Sequence, residues 1–166
     1  MRVCFRGLFL VLLLLGAAQP SVQAEPAETG AKERPEWVED GRNELALFVG
    51  VTDVAGDPGP SLGLDYEHRF MRLFGLGATV EYTSADLRDW LLAVSFNWHV
   101  WKELKLFAAP GAELEKKDGS DSFVLRLGVE YGFGIGKKWE VAPALNVDLT
   151  SDDTAIVIAV GFGRKF

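Results

Sequence analysis

Cysteine, histidine and long apolar runs are all scarce in this 166-residue chain. Cys4 is its one cysteine, and it lies ahead of the apolar run at residues 8–15, where a lipoprotein signal would not place it. If residues 1–24 are removed on export, the mature chain has no thiol, so no disulfide can stabilise it. The apolar run is also too short for a membrane-spanning helix, which needs roughly 20 residues.

Basic residues are fewer than acidic ones, with 17 Lys and Arg against 24 Asp and Glu. Removal of residues 1–24 takes away Arg2 and Arg6 and no acidic residue, which leaves 15 against 24 and a net charge of −9. This balance argues against nucleic acid as a partner. Residues 132–138 are rich in glycine but lack the spacing of a P-loop and a following helix. No cofactor or metal site is expected.

The N-terminus has the pattern of a secretory signal. Arg2 and Arg6 precede the apolar run, and the small-x-small site at residues 22–24 follows it, so we expect cleavage after Ala24. Residues 25–42 are acidic, contain Pro26 and Pro35, show no periodicity and predict a flexible leader in the periplasm. Residues 43–166 are predicted to form a single domain.

From residue 43 onward, apolar side chains alternate with polar or small ones. Eight segments of about ten residues show this period, which is the length expected of tilted membrane-spanning strands. Four linkers are acidic and turn-rich, at residues 53–59, 84–87, 115–121 and 150–153, and the other three are tighter and basic. With both termini in the periplasm, the acidic set faces outside. The predicted strands cover residues 44–52, 60–70, 73–83, 88–100, 103–114, 122–133, 138–149 and 154–166.

Glycine indicates which face of the sheet points inward. Leu62, Leu64 and Tyr66 alternate with Gly63 and Asp65, and the other strands repeat the pattern. A face that carries glycine in nearly every strand is crowded, as the interior of an eight-stranded barrel must be. A soluble lipid-binding barrel would instead have large apolar residues inside, so we predict an all-β, eight-stranded antiparallel up-and-down transmembrane barrel with aromatic residues near both rims.

Two prolines, Pro110 and Pro143, fall within predicted strands. A closed barrel has no free strand edge, so the missing N–H of a proline within a strand leaves one hydrogen bond of the sheet unformed. Each proline is therefore expected to mark a bulge or a strand end.

Charged residues on the glycine-bearing face must pair or hydrogen-bond, because unpaired burial is costly. We predict a network of ion pairs that fills the barrel, although the excess of acidic residues leaves open a narrow path that prefers cations. The predicted interior residues are Asp65, Glu67, Arg69, Glu81, Lys105, Glu113, Arg126, Glu130, Glu140 and Asp148.

A lipid A-modifying enzyme is a weaker alternative. Such chemistry needs a histidine with a serine or an acid near the outer leaflet. His68 and His99 both lie near the predicted periplasmic ends of their strands, with His68 on the lipid-facing side. Ser95 and Asn97 share the inward face with His99, at the wrong end of the barrel for these substrates. We expect no catalytic residues and a structural role for His99.

The C-terminal segment resembles the strand by which bacterial outer-membrane barrels are recognised for insertion. Its apolar residues occupy alternate positions, including Phe162, and it ends in Phe166, with Arg164 as the single break in the pattern. Together with the strand count, this resembles the OmpA-like and OmpX-like family of small eight-stranded outer-membrane barrels. The resemblance implies a bacterial outer-membrane location, insertion by the barrel-assembly machinery and a non-enzymatic role in envelope integrity or surface interaction. We also expect a monomer.

Lipopolysaccharide is a further expected partner of the predicted outer loops. Paired aspartates, such as Asp152 and Asp153, could bridge to its phosphates through divalent cations, and Lys116 and Lys117 could contact them directly. Solvated turns are the alternative explanation for these residues.

Overall fold

The computed structural model describes residues 41–84, 89–101, 103–115 and 121–166, except for the side chain of residue 115. The predicted signal peptide and residues 25–40 of the predicted leader lie outside the described residues, as do Lys116 and Lys117. Strands account for most of the described chain. Their bounds are β1 Asn43–Val54, β2 Asp57–Arg69, β3 Phe74–Thr83, β4 Asp89–His99, β5 Leu104–Glu115, β6 Asp121–Tyr131, β7 Phe133–Ile135, β8 Trp139–Leu149 and β9 Thr154–Lys165.

The strands form one closed antiparallel sheet with eight positions, as the sequence predicted. Consecutive strands pair along the chain, except that β6 and β7 both pair with β8, and β1 also pairs with β9. β6 and β7 share one position, because Glu130 pairs with Ala144 and Phe133 with Val141 in a single register along β8. The predicted strand at residues 122–133 is thus one strand that is interrupted at Gly132.

The strands β1 and β2 are longer than the sequence predicted. Residues 53–59 were expected to form a linker, but Val54 pairs with Asp57 and only two residues separate the strands. Ala55 and Gly56 have φ angles of 53° and 98°, as a type I′ hairpin turn requires. Gly56 N–H donates to Asp53 Oδ1 at 2.9 Å, which fixes this turn from within the strand.

The two strand prolines do not mark bulges or strand ends, so that expectation is wrong. Pro110 pairs with Leu125 in β6, whereas the ladder to β4 stops at Gly111 and resumes at Ala108 with the same register. The sheet therefore accommodates the missing N–H by omitting pairs on one side of the strand. Pro143 behaves likewise, since it pairs with β9 and lies beside the gap between β6 and β7.

The inward face carries small, polar and charged side chains, as the glycine pattern indicated. Its buried apolar core consists largely of alanine and valine with Phe48. Rings fill the space over glycines, because an added Cβ on Gly63 would meet the ring of Phe48 and one on Gly128 would meet the ring of Phe107. The interior is therefore crowded at the level of both rings.

The described residues contain no helix that is long and apolar enough to cross a membrane.

Candidate functional site in the barrel interior

The two ends of the barrel are named here by what they carry. The terminal end carries Asn43 and Phe166, whose backbone groups exchange hydrogen bonds of 3.1 and 2.8 Å. The distal end is the opposite one and carries the turn at residues 55 and 56. Two clusters of charged side chains, one toward each end, lie inside the barrel.

Arg126 is the centre of the distal cluster. Its Nε and Nη2 donate to the two carboxylate oxygens of Asp148, both at 2.7 Å, and its Nη1 lies 2.5 Å from Glu81 Oε2. Asp148 faces Arg126 on the neighbouring strand β8, whereas Glu81 reaches it from β3 across the lumen. Glu81 also accepts from Thr52 Oγ1 at 3.1 Å. The distal cluster therefore joins β1, β3, β6 and β8.

The charged side chains of the distal cluster are deeply buried. Arg126 is 3% exposed and Glu81 only 1%. Paired charges at this depth interact strongly, since little water screens them. Removal of one partner would leave the others buried without compensation, so these side chains are held in place.

Lys105 is the centre of the terminal cluster. Its Nζ lies 2.9 Å from Glu130 Oε1 and 3.5 Å from Glu67 Oε2. Lys165 pairs with Glu140 nearer the rim of the same end. The terminal cluster thus links β2, β5, β6, β8 and β9 at the level where the barrel opens toward the chain termini.

His99 belongs to the terminal cluster, and its two neighbours determine its tautomer. Arg69 Nη2 lies 2.6 Å from Nδ1, and Glu67 Oε1 lies 2.5 Å from Nε2. Because a guanidinium only donates hydrogen bonds, Nδ1 must accept, and Nε2 then carries the proton that is donated to Glu67. Both ring nitrogens are engaged, so His99 has a structural arrangement in which neither nitrogen is free to act as a base.

A cavity of about 40 Å³ lies between the two clusters. Two polar side chains line the wall of this cavity. A carboxylate oxygen of Asp65 accepts a hydrogen bond from the hydroxyl of Thr79, while Asn146 Oδ1 has no hydrogen-bond donor among the described residues. This volume admits a small number of water molecules. No group of three or more His, Cys, Asp or Glu side chains within the described part of the chain could hold a metal ion.

The structure places all the charged residues predicted for the interior on the inward face, and it brings most of them into the two clusters. Glu113 lies at the distal end, where it pairs in register with Leu91. Asp65 lies between the clusters. Sequence reasoning missed Glu44 and Lys165, although Glu44 alternates with Ala46 and Phe48 and so has inward parity. It also assigned His99 no place in the network.

The exterior of the barrel is apolar around its circumference. Leucine, valine, isoleucine and phenylalanine side chains on the outward positions are about half exposed, including Leu64, Val94 and Ile158. Aromatic pairs lie toward both ends of this surface. They are Tyr82 with Trp90 at the distal end, and Phe74 with Phe96, Tyr131 with Phe133, and Trp139 with Phe162 toward the terminal end.

No protein-family model matches the sequence, and no curated protein matches it. Several solved structures share the fold. The N-terminal β-barrel domain of Pseudomonas aeruginosa OprF has a TM-score of 0.58 at 10% identity, with 76% of this chain and 99% of that domain covered. The attachment invasion locus protein Ail of Yersinia pestis has a TM-score of 0.52 at 12% identity, with 75% and 96% covered.

A de novo designed transmembrane β-barrel is similar to the same degree, with a TM-score of 0.52, 12% identity, and 82% of this chain and 100% of the design covered. Identities this low show the fold alone, and the designed barrel has the same TM-score as Ail. The chain therefore has the fold of the small eight-stranded outer-membrane barrels, as the sequence predicted.

Proposed function

We propose that this protein is an integral β-barrel of the bacterial outer membrane, without enzymatic activity, that contributes to envelope integrity or surface interaction. The observation that carries the proposal is the combination of an apolar exterior with an ion-paired interior. In the proposed membrane orientation, the terminal end of the barrel faces the periplasm and the distal end faces the outside of the cell. Lipids of the outer membrane surround the barrel, and its C-terminal strand is recognised by the barrel-assembly machinery.

The exterior supports the membrane location. An apolar surface that continues around a closed sheet is unfavourable in water but suited to lipid. Closure leaves no strand edge to expose backbone groups to the hydrocarbon. The aromatic pairs toward the two ends lie where amphipathic rings meet the membrane interfaces.

The interior supports a closed barrel. Arg126, Asp148 and Glu81 join opposite walls, and Lys105 with its carboxylate partners forms a second layer toward the periplasm. An ion that crossed the lumen would have to separate these pairs.

Structural neighbours such as OprF and Ail share the architecture, and Ail is named for attachment and invasion. The two-residue turn between β1 and β2 offers less surface for adhesion than a protruding sheet would.

Cell fractionation followed by gel electrophoresis tests the location. We expect the full-length protein in the outer-membrane fraction, with a folded band in unboiled samples that shifts on heating. A soluble periplasmic protein without a shift would overturn the proposal.

A narrow pore that prefers cations is the second candidate. Carboxylates outnumber cationic groups along the lumen, and the cavity between the clusters is lined by Glu44, Asp65, Glu67 and Glu130. Single-channel recordings of the purified protein in planar bilayers separate the candidates. Silent bilayers support the closed barrel, whereas reproducible cation-selective steps would favour the pore.

A lipid A-modifying enzyme has less support, because both nitrogens of His99 are engaged and His68 points outward to Asn43. Mass spectrometry of lipid A from cells with and without the protein tests this hypothesis. We expect identical acylation patterns. A pattern that changes with the wild type but not with His99→Gln would show catalysis.

A further inference from the structure

We propose that the periplasmic rim of β8 and β9 binds the headgroup of an anionic phospholipid through Arg164, Lys137 and Lys138, with Trp139 beneath them. The inference deepens the proposed function, on which it rests, because it needs the terminal end to lie in the inner leaflet. It also assigns a role to the one residue that breaks the apolar alternation of the last strand.

Arg164 lies on the lipid-facing side of the barrel. It alternates with Val160 and Phe162, which are both exposed to the exterior. Its Cζ lies 5.4 Å from the centre of the ring of Trp139, its partner in register on β8, so the guanidinium covers the indole face. Trp139 in turn stacks on Phe162, with ring centres 5.0 Å apart. A cation thus lies at the end of an aromatic stack that extends toward the hydrocarbon region.

Two lysines lie next to this stack in the turn between β7 and β8. Lys137 and Lys138 are exposed, and Gly136 has a φ of 68° that only glycine adopts readily. The carbonyl of Lys138 accepts from the N–H of Lys165 at 2.7 Å, which holds the turn against β9 beside Arg164. Lys165 itself points inward to Glu140 and takes no part in the rim.

The three rim cations form no ion pairs within the part of the chain that the structure describes, whereas the neighbouring Lys165 is paired with Glu140. A charge that is already paired within the protein would need no ligand, but an exposed arginine on a membrane-facing surface is favourable where it meets a phosphate. Arginine can bind two phosphate oxygens at once, and the lysines add positive charge around it.

Charge complementarity selects an anionic phospholipid of the inner leaflet, such as phosphatidylglycerol. A zwitterionic headgroup brings an ammonium group close to the three rim cations, which offsets the attraction of its phosphate. The phosphates of lipopolysaccharide lie in the opposite leaflet, beside a distal end that carries Asp57, Asp152 and Asp153. Trp139 and Phe162 then pack along the upper acyl chains, as aromatic side chains do at membrane interfaces.

The test uses the full-length mature protein, refolded into bilayers that contain equal amounts of phosphatidylglycerol and phosphatidylcholine. Native mass spectrometry of the protein extracted into detergent counts the lipids that remain bound. Arg164→Gln is compared with wild type, and Arg72→Gln is the matched control, because Arg72 is exposed in the turn between β2 and β3 at the same end. All three proteins are first checked for the heat-dependent gel shift.

We expect wild type and Arg72→Gln to retain more phosphatidylglycerol than phosphatidylcholine. In Arg164→Gln the ratio of the two bound lipids should fall about fivefold, which is the contribution of one cation near a membrane surface. High salt should reduce the preference in wild type. An unchanged preference in Arg164→Gln, or equal losses in both variants, would overturn the site and leave the barrel proposal intact. A wild type that never inserts into bilayers would overturn both.

Discussion

The guanidinium of Arg126 lies 2.5 Å from the carboxylate of Glu81 across the barrel lumen, and both side chains are almost completely buried. Two strands, β4 and β5, lie between β3 and β6, so this ion pair connects walls that share no backbone hydrogen bonds. Asp148 completes the group from β8. The same contacts join the walls and lie across the lumen, so their effects on stability and on conduction are tested by different variants below.

The first prediction concerns stability. Arg126→Met retains an unbranched side chain of similar length but leaves the carboxylates of Glu81 and Asp148 buried without a cation. We expect the free energy of unfolding to fall by about 3–5 kcal/mol, as when one partner of a buried pair is removed. Urea titration of the micelle-refolded protein, followed by tryptophan fluorescence, measures the change.

The control for this prediction is Arg72→Met, which removes an exposed arginine and should change the free energy of unfolding by no more than about 0.5 kcal/mol. A double variant that adds Glu81→Gln to Arg126→Met should recover part of the loss, because one of the uncompensated charges is gone. Equal stability of Arg126→Met and the control would show that the cluster does not hold the barrel together.

The second prediction concerns packing over Gly128. An added Cβ would meet the ring of Phe107 and the amide of Asn146. Gly128→Ala should therefore lower the free energy of unfolding by about 1–3 kcal/mol, the usual cost of overpacking. Gly134→Ala is the matched control, because nothing lies within 4 Å of a Cβ at that position.

The ring of Phe107 is one of the two side chains that an added Cβ at residue 128 would meet, and its displacement can be tested. Phe107→Leu shortens that side chain, so the double variant should regain stability relative to the sum of the two single effects. Urea titration of all four proteins gives the coupling. Strict additivity would indicate that the backbone, and not the ring, absorbs the added methyl group.

Much of the fold followed from the alternation of side chains along the sequence. Leu64 and Asp65, as adjacent residues of a strand, must lie on opposite faces of the sheet, and the glycine distribution indicated that the face of Asp65 points into the lumen. The acidic, turn-rich composition of residues 53–59 misled the prediction at the distal end, since it suggested a linker where most of the chain forms paired strand. Pro110 misled it too, because the sheet omits pairs on one side of that strand without a change in register.

The site was predictable as a set of inward residues but not as a set of contacts. Arg126 and Asp148 meet because β6 and β8 pair in one particular register, which alternation alone does not determine. Arg126 and Glu81 meet across the lumen, which depends on the stagger of the whole barrel. The tautomer of His99 depends on the side-chain positions of Arg69 and Glu67, and no sequence pattern carries that information.

The third prediction concerns conduction. Glu81→Ala/Arg126→Ala/Asp148→Ala removes the charged members of the distal cluster and leaves small side chains in their place. Wild type should be silent in planar bilayers, whereas the triple variant should show small steps that prefer cations, because Glu44, Asp65 and Glu130 remain along the lumen. The gel shift must show that the variant is folded. Silence of a folded variant would locate the block in the terminal cluster.

The fourth prediction separates assembly from stability at the C-terminus. The backbone of Phe166 pairs with Asn43, but its side chain is 55% exposed and contributes little to the interior. Phe166→Ala should therefore change the free energy of unfolding of the refolded barrel by no more than about 0.5 kcal/mol. In cells, if the terminal ring is part of the insertion signal, the heat-shifted band in the outer-membrane fraction should decrease several-fold.

Phe123→Ala is the matched control, because Phe123 is also an exposed phenylalanine, 67% accessible, but lies at the distal end of β6. It should leave the amount of assembled protein close to that of wild type. Equal assembly of the two variants would mean that the barrel-assembly machinery does not recognise the ring of Phe166 during insertion. A loss of assembly confined to Phe166→Ala, with unfolding unchanged in micelles, would assign the ring to recognition, since the folded barrel is then equally stable with or without it.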